Sequence, residues 1–222
     1  MQELSGAALA VSVVHADGQL LVLDKPSGLL SVPGRGADKA DCLSARVQAL
    51  YPQALVVHRL DMATSGLILM ACGTQMQRKL SLAFAQREVS KRYEAVVAGR
   101  LDAPSTTGDW GVIDLPVAAD WPNRPLRIID LQRGQPSVTR WRVLGHDSDA
   151  DTTRVELEPV TGRSHQLRVH LKALGHPILG DTLYAPPEIA SASARLMLHA
   201  CGLRLVHPYS AAAMEFSSPA PF

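Results

Sequence analysis

Net charge is nearly absent from this chain: 22 lysines and arginines face 21 aspartates and glutamates, a balance of +1. No global field therefore announces a nucleic-acid partner, and attraction for a polyanion must come from local arrangement. Cysteine is scarce as well. Cys42, Cys72 and Cys201 form no CxxC, no zinc-ligand spacing and no disulfide framework, which fits a reducing cytosol. No apolar run approaches the roughly 18 residues of a membrane span. The opening Met1-Gln2-Glu3-Leu4-Ser5 lacks the cationic region and apolar stretch of a signal peptide, so a cytoplasmic protein is expected. Also missing are G-x-G-x-x-G, the P-loop, H-E-x-x-H and G-x-S-x-G. The histidines His58, His165, His170, His176, His199 and His207 include no i, i+4 pair. His165 and His170, five apart, would point away from one another on a helix, so no metal is expected.

What is present is segregated charge. Between positions 78 and 100, Arg78, Lys79, Arg87, Lys91, Arg92 and Arg100 outnumber Glu88 and Glu94. Between 121 and 142, Arg124, Arg127, Arg133, Arg140 and Arg142 face Asp130 alone. The balancing acids gather at Asp147, Asp149, Asp151, Glu156 and Glu158. A neutral protein so divided can present a basic groove, although solvated faces are the plainer account of such clusters. At 222 residues the chain fits one large domain or two small ones, with enough apolar content for a core. It shows no internal repeat and no linker, so a single domain over 1–222 is expected.

The spacing predicts mixed elements. Residues 19–23 read as a strand turned by Asp24-Lys25-Pro26-Ser27-Gly28, followed by a loose loop, Val32-Pro33-Gly34-Arg35-Gly36. Asp41 is placed to cap a helix bearing Leu43, Val47 and Leu50, and Thr74 a second one bearing Met76, Leu80, Ala83 and Phe84. Strands are expected over 55–60, 66–71 and 91–99, the last with Tyr93, Ala95 and Val97 on one face. The segment 101–136 reads as long connections with short extended pieces. A hairpin of 137–144 and 153–158 should cross the acidic 147–151 turn. Residues 162–174 suit a helix with Leu167, Leu171 and Leu174 aligned and Gly175 beyond its end. One or two strands over 195–206 and a short one at Met214-Glu215-Phe216 close the chain. Without strict βαβ alternation the pattern favours an α+β fold.

One stretch stands out: His58-Arg59-Leu60-Asp61-Met62-Ala63-Thr64-Ser65-Gly66, followed by the apolar run Leu67-Ile68-Leu69-Met70-Ala71. A carboxylate beside an apolar strand is costly to bury unless cations and donors surround it, so such positions are enriched where the charge is used. The stretch resembles the H-R-L-D-x-x-T-S-G motif of the RluA family of pseudouridine synthases. Lys91-Arg92-Tyr93-Glu94-Ala95 is similar to that family's K-x-Y-x-A strand. Gly162-Arg163-Ser164-His165-Gln166-Leu167-Arg168-Val169-His170 is similar to its G-R-x-H-Q-x-R-x-H segment, and Gly175-His176-Pro177-Ile178-Leu179-Gly180-Asp181 to the family's next segment. Arg195-Leu196-Met197-Leu198-His199-Ala200 matches the late R-L-x-L-H-A strand. The likeness covers essentially the whole chain in the family's order, so a catalytic domain without an S4-like RNA-binding module is expected. Asp120-Trp121-Pro122-Asn123-Arg124-Pro125 and Gly28-Leu29-Leu30-Ser31-Val32-Pro33-Gly34 look most like the member acting on both a tRNA anticodon loop and a large-subunit rRNA hairpin.

The resemblance implies an α+β catalytic fold around a mixed, largely antiparallel sheet. It also implies isomerisation of uridine to pseudouridine within RNA, and no cofactor. A glycosidase needs two carboxylates because water must be activated; here uracil departs as a stabilised anion and stays bound, so one carboxylate can suffice. On this likeness Asp61 is the catalytic group, either adding to C1′ or removing the C2′ proton. Arg163 is the cation expected to orient it. Tyr93 and Leu198 would flank the inserted uracil, with core packing as their plainer reading. Arg59 would fill the space left by the extruded nucleotide, where a surface ion pair is the plainer reading. A monomer is expected. The rivals are a non-catalytic RNA-binding or folding factor on the same scaffold, which would bind without product, and a nucleoside hydrolase, which would need a second carboxylate or a metal cluster.

Overall fold

The computed structural model describes residues 11–34, 36, 39–104 and 110–222. The amino-terminal reading and Arg35 of the loose loop lie outside the described residues. The elements run in the order β1 (Ser12–Ala16), β2 (Leu20–Lys25), α1 (Leu43–Leu50), β3 (Ala54–Val56), β4 (Ser65–Cys72), α2 (Thr74–Ala85), β5 (Ser90–Ala98) and β6 (Gly111–Asp114). After these come β7 (Val117–Ala119), β8 (Arg127–Ile129), β9 (Val138–Asp147), β10 (Thr152–Pro159), α3 (Gln166–Ala173), α4 (Pro187–Ser191), β11 (Leu198–Val206) and β12 (Ala213–Ser217). The described residues form two compact units. One runs to Val89 and adds Leu203–Ser218; the other comprises Ser90–Gly202 and Pro219–Phe222, so β11 belongs to both.

In the first unit the strand order is β1-β2-β4-β11, with β3 also on β4 and β12 on β11. β2 pairs antiparallel with β4, Leu20 opposite Ala71 and Val22 opposite Leu69. β4 is buried on both faces along nearly its whole length, as its unbroken apolar run requires. Leu20, Val22, Leu67, Leu69 and Ala71 pack with Met76 and Leu80 of α2 and with Leu203 and Leu205 of β11. Burying each of the valine, leucine and methionine side chains of this set stabilises the fold by about 1.5–3 kcal/mol. The expected α2 stripe is therefore the core face, and Arg78 and Lys79 stay exposed.

The second unit orders its strands β11-β5-β10-β9-β6, with a separate β7–β8 hairpin. β10 pairs antiparallel with β5 and with β9, so the hairpin expected across the acidic turn is present and longer than its apolar residues indicated. The α+β class and mostly antiparallel pairing hold. Among the described residues no helix is long and apolar enough to cross a membrane.

Three helix starts differ from the sequence reading. Cys42 caps α1, its sulfur accepting from the Ala45 N–H at 3.4 Å, while Asp41 turns to Arg46 with bonds of 2.7 and 2.6 Å. Gly73 occupies the cap of α2, which leaves Thr74 as the first helical residue. α3 begins at Gln166 rather than 162, because His165 adopts a left-handed conformation with φ of 58°. That geometry suits one residue and not a helical run.

Candidate active site

The Asp61 turn is assembled in the first unit. The backbone leaves β3 at Val56, runs irregularly to Asp61, and turns into β4 with the Thr64 N–H donating to the Asp61 carbonyl at 3.1 Å. Leu60 points inward and Asp61 is half-buried, while Arg59 and Met62 are exposed. His58 is structural here. Its Nε2 accepts the Leu69 N–H at 2.9 Å, and its ring lies 4.4 Å from that of Phe84.

A second segment clamps this turn from below. Lys25 is 0 % exposed, and its ammonium donates to the carbonyls of Pro26, Leu29 and Met62 at 2.9, 2.8 and 3.0 Å. The Gly28 N–H reaches the same Met62 carbonyl at 2.9 Å. Ser27 donates to the Ala63 carbonyl at 2.7 Å, and Ser31 both donates to the Leu60 carbonyl and accepts the Leu60 N–H. The carbonyls of Leu60, Met62 and Ala63 are thus all held by 25–31. A buried ammonium is tolerated only when its three donors are used, which these carbonyls accomplish. The result is an irregular backbone held rigid around Asp61.

The other candidates belong to the second unit. Tyr93 is buried on β5 opposite Leu157, and Leu198 opens β11 as a buried residue. Lys91, two residues before Tyr93, has its pKa lowered by burial. Its Nζ lies 3.8 Å from where a Cβ on Gly162 would fall.

Arg163 is exposed on the loop before α3, its Nε 3.4 Å from the Pro136 carbonyl. A chain of side chains fixes that loop. Gln166 Oε1 accepts from the Arg163 N–H at 3.0 Å and the Thr161 hydroxyl at 2.8 Å, while its Nε2 donates to Thr139 at 3.0 Å. Thr139 meets His170 Nδ1 at 2.9 Å, and His170 Nε2 meets the Leu115 carbonyl at 2.9 Å. A carbonyl only accepts, so Nε2 carries the proton and Nδ1 receives the Thr139 hydroxyl.

The buried cation of this segment is Arg168, to which the sequence reading gave no role. Arg168 is 3 % and Asp181 1 % exposed, and the guanidinium grips both carboxylate oxygens at 2.8 and 2.5 Å. Asp181 also accepts the N–H groups of Leu183 and Tyr184 at 3.0 and 3.2 Å. The available signal was α3 itself: Gln166-Leu167-Arg168-Val169-His170-Leu171 is buried throughout, so an arginine there needs an internal carboxylate.

Chemically, these units offer one carboxylate on a pinned turn, a buried tyrosine, and arginines both sheltered and exposed. Comparison with known proteins gives the family. A family model described as RNA pseudouridylate synthase matches residues 19–173. The dual-specificity RNA pseudouridine synthase RluA of Escherichia coli (strain K12) is 48% identical over 210 residues, covering 95% of this chain and 93% of that protein. The protein of the same name from Yersinia pestis is 47% identical, covering 95% of this chain and 99% of its own length. Among solved structures, human RNA pseudouridylate synthase domain containing 1 superposes with a TM-score of 0.79 at 29% identity, covering 100% of this chain and 87% of that one. Human RNA pseudouridylate synthase domain containing 4 gives 0.73 at 26% identity, with 95% and 88% covered. The chain belongs to the RNA pseudouridylate synthase family.

Proposed function

We propose that this enzyme isomerises uridine to pseudouridine in unpaired loops of structured RNA, with a tRNA anticodon-loop uridine and a large-subunit rRNA hairpin uridine as its substrates. The dual-specificity name of the similar bacterial proteins supports a double substrate. So does the likeness of 120–125 and 28–34 to the family member with that pair of targets. The observation that carries the reading is the clamped turn presenting Asp61 within an unaltered H-R-L-D-x-x-T-S-G motif.

In this reading the N1–C1′ bond of uridine breaks, the uracil turns over while held, C5 bonds to C1′, and the proton lost from C5 is balanced by one taken up at N1, so the product is an isomer. Asp61 is the catalytic carboxylate, acting at C1′ or on the C2′ proton. A rigid turn suits either route, because it holds the group in place without reorganisation as the bond breaks. Tyr93 is assigned to contact the uracil and to assist at C5, Leu198 to pack on the base, and Arg163 to supply positive charge. Arg59, exposed beside the turn, is assigned to fill the space the target nucleotide vacates. Extrusion costs a few kcal/mol, and a planar cation able to stack and meet phosphates offsets part of it. A cytoplasmic monomer acting as one catalytic domain without metal or cofactor completes the proposal.

Mass spectrometry of treated anticodon and rRNA stem-loops tests it. Wild type is expected to form pseudouridine and Asp61→Asn none, with RNA affinity kept within about tenfold because charge is removed but little volume. Arg59→Ala is expected to bind the same loops more weakly. Turnover by Asp61→Asn near that of wild type would remove Asp61 from the chemistry.

A further inference from the structure

The tip of the β7–β8 hairpin carries a feature that the proposed isomerising residues leave unused. Trp121 is 70 % exposed, an unusual state for the largest apolar side chain. It is nonetheless held in place. The Arg124 guanidinium lies 3.4 Å from its ring centroid. The Asp120 carboxylate accepts from the Asn123 N–H and side-chain amide at 3.4 and 3.0 Å. Backbone bonds from Asp120 to Leu126 and from Leu126 to Asn123 close the loop. Its root is anchored too, with the Arg127 N–H donating to the Tyr184 hydroxyl at 2.9 Å and Leu126 and Ile129 packing on the small core of Val117, Val169 and Tyr184. One face of the indole is covered by Arg124, and the other is offered to solvent.

The same residues border a cleft of about 710 Å³ lined by Trp121, Pro122, Arg127, Arg133, Gln135 and Arg163 among others. Its carboxylates are already engaged. Asp120 serves Asn123, and Asp130 accepts from Gln132 and Arg133, whose N–H groups hold its pKa below the usual carboxylate range. Arg127 is different. Its Nε is buried and meets no acceptor among the described residues. The side chain as a whole is only half-buried, lines the cleft and has no carboxylate partner among the described residues. A phosphate oxygen is the acceptor best matched to the guanidinium fork.

We propose that the hairpin tip and cleft form a subsite for an unpaired RNA nucleotide other than the isomerised uridine. Trp121 stacks on its base and Arg127 takes a phosphate. The inference rests on the RNA reading above and specifies the form of the partner, because a paired base inside a helix has no free face for the indole. Arg124 acts as a backing group. Its guanidinium fixes the orientation of the ring, so less freedom is lost when a base arrives.

Binding measured on Asp61→Asn protein separates this subsite from turnover. The probes are single-stranded oligouridylate, a hairpin RNA with an unpaired loop and a fully paired RNA duplex, assayed by filter retention and indole fluorescence. Trp121→Ala is expected to weaken hairpin binding roughly tenfold and remove most of the quenching, while Trp121→Phe keeps most of the affinity. Arg127→Gln is expected to keep the quenching and lower the slope of log affinity against log salt by about 0.7, one single-strand phosphate contact. If wild type makes no pseudouridine while these binding differences appear, the function reading fails and the subsite stands. Equal affinity of Trp121→Ala and its parent for the hairpin overturns the proposal. So does an equal loss on duplex RNA, or a parent protein that binds none of the three.

Discussion

Two arginines of one motif have opposite fates, and the difference can be measured. Arg168 is sealed in a two-point grip on Asp181, whereas Arg163 lies exposed on a loop. Removing one partner of a buried pair strands a charge and costs about 3–5 kcal/mol. Exposed substitutions usually fall within about 0.5 kcal/mol. Arg168→Ala is therefore expected to lower the urea midpoint strongly, and Arg163→Ala to leave it unchanged while slowing pseudouridine formation. If Arg163→Ala turns over like wild type, the cationic role moves away from that residue. Spacing along the chain ranks the two equally, since both are arginines in a basic segment. Burial separates them, and burial depends on Asp181, thirteen positions beyond Arg168. The same blindness applied to Lys25: its sequence neighbourhood is a turn, but its partner at Met62 belongs to a different segment.

Among the elements, strands and amphipathic helices were legible because their periodicity is local. β2, β4, β5 and the β9–β10 pair fall where alternation or apolar runs place them. Caps were less legible, because a cap is decided by competition among neighbours. Asp41 is a good capping residue, yet Arg46 engages its carboxylate and a cysteine takes its place. α3 shows a further effect, a polar chain from Arg163 through Gln166 and Thr139 that ends on a buried imidazole. Burial lowers the His170 pKa below its ordinary 6.5, opposed by the Leu115 carbonyl and nearby Asp114. Its folded pKa is thus below its unfolded one. In the window between them the unfolded chain binds the extra proton, so stability rises with pH there. The contribution is complete above about pH 6.5 and is lost as pH falls toward the folded value. Melting temperature should therefore drop on acidification through that window, and His170→Gln should lack this component. Parallel pH profiles for the two proteins would dismiss the buried imidazole as its source.

At the scale of the whole molecule, a net charge of +1 conceals a division that matters for a polyanionic partner. Many of the arginines between 124 and 154 are spent on internal pairs, Arg140 with Glu158, Arg142 with Glu156 and Arg154 with Glu94. Counting basic residues therefore overstates the positive surface, and only those without carboxylates remain for phosphates. RNA affinity is expected to fall with added salt at a slope equivalent to a few phosphate contacts, about −0.7 per contact for single strands. A filter-binding series that is flat with salt would show that the arginines left over do not meet the RNA backbone. The family, the α+β class and the Asp61 motif were all legible from residue order, because a long ordered motif survives without knowledge of contacts. Lys25 leads to one more consequence. An amine whose three hydrogens are fully engaged cannot be attacked by an acylating reagent until the surrounding chain comes apart. Its modification rate should therefore report the opening free energy of that part of the molecule, and lag behind every surface lysine in a timed labelling experiment.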